Sequence, residues 1–517
     1  MMSHVPDTAF SRQAKPGQPC ALALDIGTSS VRAALYDTVG NQIEESYVKH
    51  ERAVQTTSDG GALLDANEAL AQVERALDAV LARSPSLTAE QVELVGLSCF
   101  WHSLVGIASD GSALTPLLTW ADTRAAPLVE ELRRLSDEGE THRRTGCRFH
   151  ASYWPAKLLW LRRESADAFQ RVARWMSFSD LVFERFFGET ETSVSMASAT
   201  GLFDQHALVW DAELLRLLGL AVEKLPRIAA PGKTFSGLRA EYARRWPQLG
   251  GARWSAAIGD GAANNIGAGC ATRERAALMI GTSGALRVLW QGDAPATLPP
   301  ELWCYRADDR RVITGGALSD GGGLYQWMNE SLRLIENDEE LERALGTLEP
   351  DAHGLTVLPF WSGERSTGWH ASARGAILGL SAHTQPLEIM RAAMEAVAYR
   401  FALILRALDA VAPQALLIAS GGALRASPVW TQVMADVLGR PLTLSAAREA
   451  SSRGAVLLAL EMAGKIKSVA DVPTELGQTF RPDAARHERY RVGLERQQKF
   501  YRQLITFTTN SEDTETT

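Results

Sequence analysis

The sequence predicts an α/β protein built as two lobes that face each other across a cleft. Three observations predict it. The chain has 517 residues, beyond the roughly 250–300 at which a single hydrophobic core stops growing. Apolar runs of strand length alternate with stretches patterned for helix. The third is an internal echo: LDIGTSSVRAALYD around Gly27 recurs as LMIGTSGALRVLWQ around Gly281, 254 residues later. Self-similarity at nearly half the chain length predicts two lobes that share an opening hairpin.

The first element is the apolar run 21–25, which ends in the carboxylate of Asp25. Gly27, Thr28, Ser29 and Ser30 then supply a turn, residues 31–36 a second strand, 37–41 another turn and 43–48 a third strand. A helix is predicted over 66–82, a strand over 94–99, and helical stretches over 125–135 and 157–163. The polar, Arg-rich segment 231–247 approaches a lobe boundary at 254–260. The lobes are therefore expected over 20–255 and 256–505, between a loose arm (1–19) and a polar tail (506–517). In the second lobe, 415–420 reads as a strand, Gly421-Gly422-Ala423 as a turn and 428–438 as a helix.

Composition narrows the function. With 46% hydrophobic and 22% charged residues the chain folds, and disorder is excluded as its main state. A net charge of −8 removes the basic footprint of a nucleic-acid binder, so an anionic substrate must be met by local groups. The five cysteines are odd in number and widely spaced, without metal-ligand spacing, which points to a reducing, cytoplasmic compartment. The charge-free run 94–109 is 16 residues long, too short to span a membrane. Residues 1–19 lack the pattern of a secretory signal.

Several motifs carry chemistry. Glycine lets a turn approach a ligand closely, and neighbouring N–H and hydroxyl groups donate to phosphate oxygens. Each Gly-Thr-Ser turn is either a tight hairpin or half of a clamp on one polyphosphate. Asp25 precedes the first turn, whereas Met279 stands at the matching place in the second. That asymmetry suggests a role beyond the hairpin, such as an oxygen ligand for Mg²⁺. Ile258-Gly259-Asp260-Gly261 reads as a strand end, a carboxylate and a helix of small residues. Asp260 is then either an N-cap or a general base aimed at a hydroxyl. Gly421, Gly422 and Ala423 form a turn able to lie against a nucleotide base, and Gly321-Gly322-Gly323 add a second glycine-rich edge. Phe100-Trp101-His102-Ser103 and Trp120-Ala121-Asp122-Thr123-Arg124 mix aromatic and hydrogen-bonding groups as a polyol pocket would.

These segments resemble the FGGY family of carbohydrate kinases over about residues 20–500. The most specific match is GAILGL at 375–380, followed after seven residues by EIMRAAME at 388–395; the GERSTGWHASARG segment before it is also similar. HSLVG, TWADTRA, and HRRTG followed by KLLWL are most similar to the gluconokinase branch. Trp101 stands where Met is common in the family, Thr367 where Pro is usual, and Pro155 one place late. The resemblance implies two actin-like, ribonuclease-H-like lobes, with ATP and Mg²⁺ as cofactors. It makes Asp260 the catalytic base and Asp25 the organiser of Mg²⁺. Gly27, Thr28, Ser29, Gly281 and Thr282 would meet phosphates, and Gly322, Gln326, Gly421, Gly422 and Ala423 would line the nucleotide site. Trp101 and His102 would grip the sugar.

The expected reaction is phosphorylation of a sugar or sugar acid, gluconate first, with a ketopentose or polyol kinase as the alternative. A nucleotide-switched actin-like protein and a non-catalytic sugar sensor are the rivals from other classes. Among His102, Arg124 and Lys157, Arg124 is the first choice for a substrate carboxylate, since arginine can make two parallel bonds to it. A small-molecule substrate is expected as partner, with neither nucleic acid nor membrane, and homodimeric assembly is left open.

Overall fold

The computed structural model describes residues 18–84, 87–88 and 91–505. The expected arm up to residue 17 and the tail from 506 lie outside the described residues. The fold holds two seven-stranded mixed sheets. At the heart of the first are Val48–Glu51, Ser30–Tyr36, Ala21–Ile26 and Leu94–Cys99, side by side in that order. At the heart of the second are Arg311–Leu318, Gly284–Gln291, Arg275–Ile280 and Leu416–Ser420. Both sequences of neighbours run antiparallel, antiparallel, then parallel. The internal echo is thus a repeat of topology. Ala21–Ile26 and Leu94–Cys99 are buried throughout, because helices cover both sheet faces.

Register decides what the sheets present. Ile26 pairs with Cys99, and Cys99 pairs in turn with Gly259. Three parallel strands therefore end in one row, and Gly27, Phe100 and Asp260 leave the sheet at one edge. In the second sheet Ile280 closes the hairpin on Gly284, while Met279 pairs with Ser420. Gly281 and Gly421 leave that sheet together.

Two expectations are corrected. The third strand is Val48–Glu51, not 43–48, because Ser46 folds back onto the Ile43 carbonyl and Glu45 adopts a φ of 64°. The stretch 125–135 opens as a 3₁₀ turn, Ala126–Leu128, before the α-helix Val129–Leu135; Pro127 sits in that turn, where its missing N–H costs nothing. The helix Ala450–Met462, from the second half of the chain, packs on the first lobe's sheet, with Ala455, Val456 and Leu457 in that core. Its contact with the helix Asp260–Gly267 is made by Gly454 and Gly267. A Cβ on either would stand 1.8 Å from a backbone oxygen of the other helix.

Candidate active site

The first Gly-Thr-Ser turn is braced from behind by Arg52. Its guanidinium donates to the Gly27 carbonyl and, at 2.9 Å, to that of Thr28. The Thr28 hydroxyl accepts from Trp120 Nε1 at 3.2 Å, and Ser29 is exposed. Asp25 lies directly opposite Arg32 in the hairpin register, and Arg32 Nη1 donates to its Oδ2 at 3.1 Å. In the second hairpin Met279 faces Ala285, so neither member of that ion pair is repeated.

Asp260 is the first residue of its helix, and Gly259 takes the N-cap place. Its Oδ1 accepts from Gly261 N at 2.7 Å. Part of Asp260 faces the cleft, but protein encloses the rest, and that desolvation pushes the carboxyl up to about 6. Arg287 and Arg365 pull it down, and the negative charge of Asp25 pushes it up. The charge of Asp25 adds to the cost of ionising the enclosed Asp260, a cost that a divalent cation relieves, so the donor set fits Mg²⁺.

On the second lobe, Gly322 N donates to the Gly281 carbonyl at 2.7 Å, and the Thr282 carbonyl accepts from Gly321 N and Gly323 N. Thr282 itself is exposed. Gly421 has a φ of 100°, and a Cβ there would stand 2.2 Å from the Ile280 oxygen. A Cβ on Gly322 would lie 3.3 Å from that of Ala423. The structure thus brings Gly281, Thr282, Gly322, Gly421 and Ala423 together. Gly422 beside them opens onto space, with nothing within 4 Å of an added Cβ. Gln326 stands one turn along the helix Gly322–Ser331, exposed and donating to Glu330.

The first-lobe pocket residues are spoken for. Trp101 donates its Nε1 to the Ser195 carbonyl at 3.1 Å, and its ring lies against Gly259 and Gly261. It is the wall behind Asp260, with its one polar atom spent. His102 Nδ1 meets the Ala199 carbonyl at 2.6 Å, and burial holds the imidazole well below its ordinary pKa, hence neutral. Lys157 donates to the His102 and Thr119 carbonyls, both at 2.8 Å, and burial pushes it down to about 7. The expectation for Arg124 is corrected. Its Nε and Nη2 already make the two parallel bonds, at 3.1 and 2.7 Å, to Asp122, and its guanidinium stacks on Trp160.

The cations that do face Asp260 come from the second lobe. Arg365 reaches across the cleft: its Nη2 donates to His102 Nε2 at 3.3 Å, and its guanidinium lies over the Trp120 ring. Its loop is pinned by Ser362 to Asp320, by Ser366 to Ala317, and by an ion pair of Glu364 with Arg400. Arg287 projects from Gly284–Gln291, a strand buried over all but its last residue. Nε and Nη1 of Arg287, and Nε of Arg365, are enclosed without a hydrogen-bond partner. Sequence reasoning passed over both. The available signals were a lone cation in the apolar run GALRVLW and the arginine inside GERS.

Two like sheets, a cleft edge of glycine turns on each side and a carboxylate between them define a two-lobed kinase of the actin-like, ribonuclease-H-like kind. The chain belongs to the FGGY family of carbohydrate kinases: the family's N-terminal domain matches residues 20–267 and its C-terminal domain residues 276–463. It is a sugar-kinase phosphotransferase. It is 26% identical over 477 residues to a gluconokinase of Bacillus subtilis (strain 168), covering 89% of this chain and 91% of that one. It is 30% identical over 454 residues to a glycerol kinase of Rhizorhabdus wittichii, covering 84% and 87%. A solved xylulose kinase of Lactobacillus acidophilus matches its fold with a TM-score of 0.84 at 24% identity, over 94% of this chain and 98% of that one. Among the described residues, no helix is long and apolar enough to cross a membrane.

Proposed function

We propose that this kinase transfers the terminal phosphoryl group of ATP to a hydroxyl of a sugar acid, with D-gluconate to 6-phosphogluconate as the reaction. The observation that carries the reading is Asp260: an enclosed carboxylate, poised near 6, at the cleft end of a strand beside the Gly27 turn. A group with that pKa is ionised at neutral pH and basic enough to draw the proton from an attacking hydroxyl. A nucleotide switch or a sugar sensor has no use for it. Phosphoryl transfer otherwise asks for positioning and charge neutralisation. In this reading Gly27, Thr28, Ser29, Gly281 and Thr282 hold the phosphates. Gly322, Gln326, Gly421, Gly422 and Ala423 line the nucleotide, and His102, backed by the Trp101 wall, bounds the sugar. Mg²⁺, with Asp25 as its proposed ligand, supplies neutralisation of the phosphate charge.

The similarity to a gluconokinase across nearly the whole chain supports gluconate, as does the cationic face opposite Asp260. The glycerol and xylulose kinases among its relatives support a second reading, a polyol or ketopentose substrate. The five free, buried thiols fit a cytoplasmic enzyme. A coupled assay of ADP formation against gluconate, xylulose, ribulose, glycerol and erythritol tests the proposal. Turnover highest with gluconate is expected. Turnover only with a neutral sugar promotes the second reading, and none above the sugar-free rate with any sugar sinks the kinase assignment for this pocket.

A further inference from the structure

Six arginines are buried among the described residues: Arg52, Arg287, Arg306, Arg311, Arg391 and Arg400. Five have evident partners. Arg311, Arg391 and Arg400 pair with carboxylates, and Arg52 and Arg306 donate to backbone carbonyls. Arg287 stands apart. It is 8% exposed, and its Nε and Nη1 meet no acceptor. An unpaired buried cation is costly to a fold unless something pairs with it. Arg365, which shares the cleft, makes its one side-chain hydrogen bond to a neutral imidazole, and it too has an enclosed, unpartnered Nε. The two repel each other, as the downward pull of Arg365 on Arg287 records, and Asp260 is the carboxylate that faces both. Gly261 leaves room at this place, since a Cβ there would stand 3.1 Å from the Arg287 guanidinium.

We propose that Arg287 and Arg365 form an anion subsite beside Asp260 that binds the carboxylate of the sugar-acid substrate. The inference rests on the sugar-acid reading above and assigns its specificity to the second lobe. The first-lobe cations cannot serve: Arg124 is taken by Asp122, Lys157 by two carbonyls, and His102 is neutral. Because the anion is held by one lobe and the sugar body by the other, the substrate itself ties the lobes together.

The test uses the full chain, without nucleotide, and gluconate against its neutral six-carbon polyol, glucitol. Calorimetry on the wild type is expected to show gluconate bound more tightly than glucitol. Arg287→Gln should weaken gluconate about 10- to 150-fold, as expected for a lost charge-assisted hydrogen bond. Arg365→Gln should act in the same direction, and Arg287→Lys should recover part of the loss. In steady state the change should fall on the gluconate KM and not on the ATP KM. A cooperative melting transition of ligand-free Arg287→Gln shows in the same sample that the variant folds. Gluconate affinity unchanged in both glutamine variants, with kcat lowered equally for gluconate and a neutral sugar, would place the arginines on the transferred phosphoryl group and overturn the proposal. A wild type that phosphorylates only neutral sugars would instead overturn the sugar-acid reading, and the subsite's ligand with it.

Discussion

In the proposed reaction Asp260 accepts the hydroxyl proton, and it does so only when ionised. Burial sets its carboxyl at about 6, above the ordinary 3.8. The working form is therefore present above that value and is lost as the pH falls through it. The kcat/KM for the sugar should be level above about pH 7 and fall about tenfold per unit well below pH 6. A limb that bends only near 4 would mean that the enclosed carboxylate is not the titrating base. Asp260→Asn keeps the size and the acceptor for Gly261 N but cannot take the proton. It should cost about 10²–10⁴-fold in kcat while ATP binding survives; more than about half of wild-type turnover would remove Asp260 from the mechanism. At this scale the sequence was uneven as a guide. Asp25 and Asp260 draw notice because each is a carboxylate beside a glycine turn at the end of an apolar strand. Arg124 misled because its competitor Asp122 lies only two residues back, where a bidentate pair closes within one turn. Arg287 and Arg365 converge on Asp260 only through the meeting of two lobes, which no local pattern contains.

Glycines serve two different ends in these elements, and substitution should separate them. Gly454 is a packing glycine: its Cβ would sit 1.8 Å from the Ala263 oxygen, so the helices Ala450–Met462 and Asp260–Gly267 would have to part. Gly454→Val should cost about 1–3 kcal/mol, read as a lower urea midpoint. Gly422 opens onto space, and an added methyl meets no protein atom within 4 Å. Gly422→Ala should leave the urea midpoint in place and raise the ATP KM; an unchanged KM would take the nucleotide away from that turn. The same contrast explains which elements were readable beforehand. The helix Ala66–Ala82, the strand Leu94–Cys99 and both Gly-Thr-Ser hairpins follow local apolar periodicity, and they lie where it puts them. The helix Ala450–Met462 was not among the elements read from the sequence. Its crossing to the first core depends on the glycine contact with a partner about 190 residues earlier, and periodicity carries no such information.

Across the whole molecule the contacts between the two lobes predict how they move. One contact is a seam. Trp303–Arg306 lies against the first lobe, with Cys304 N donating to the Gly146 carbonyl at 2.9 Å and Arg306 N to the Ser198 hydroxyl at 2.9 Å. Trp303 and Tyr305 are part of the first core, and the Tyr153 and Tyr305 hydroxyls meet at 2.6 Å. Backbone bonds and buried rings of this kind do not separate without unfolding. Another contact is the loop around Arg365, whose guanidinium donates to His102 Nε2 at 3.3 Å and lies over the Trp120 ring, while His150 Nε2 donates to the Glu364 carbonyl at 3.0 Å and Trp369 packs on His150 and Tyr153. With the seam and this loop as the pivot, the glycine turns on either side of the cleft are the parts left to approach. If both turns hold one polyphosphate, ATP analogue and sugar together should draw them in and exclude water from the phosphoryl group. Small-angle scattering reads this directly. A compact chain of this length has a radius of gyration of about 24 Å. The value with both ligands saturating should be smaller than for the free protein, and with either ligand alone it should lie between the two. Seam bonds do not change in that motion, so amide exchange at Cys304 and Arg306 should stay slow in every state, while the turns at Gly27 and Gly281 become protected only in the ternary complex. An unchanged radius with both ligands bound would mean that the cleft does not close. Loss of protection along 303–306 would mean that the pivot lies elsewhere.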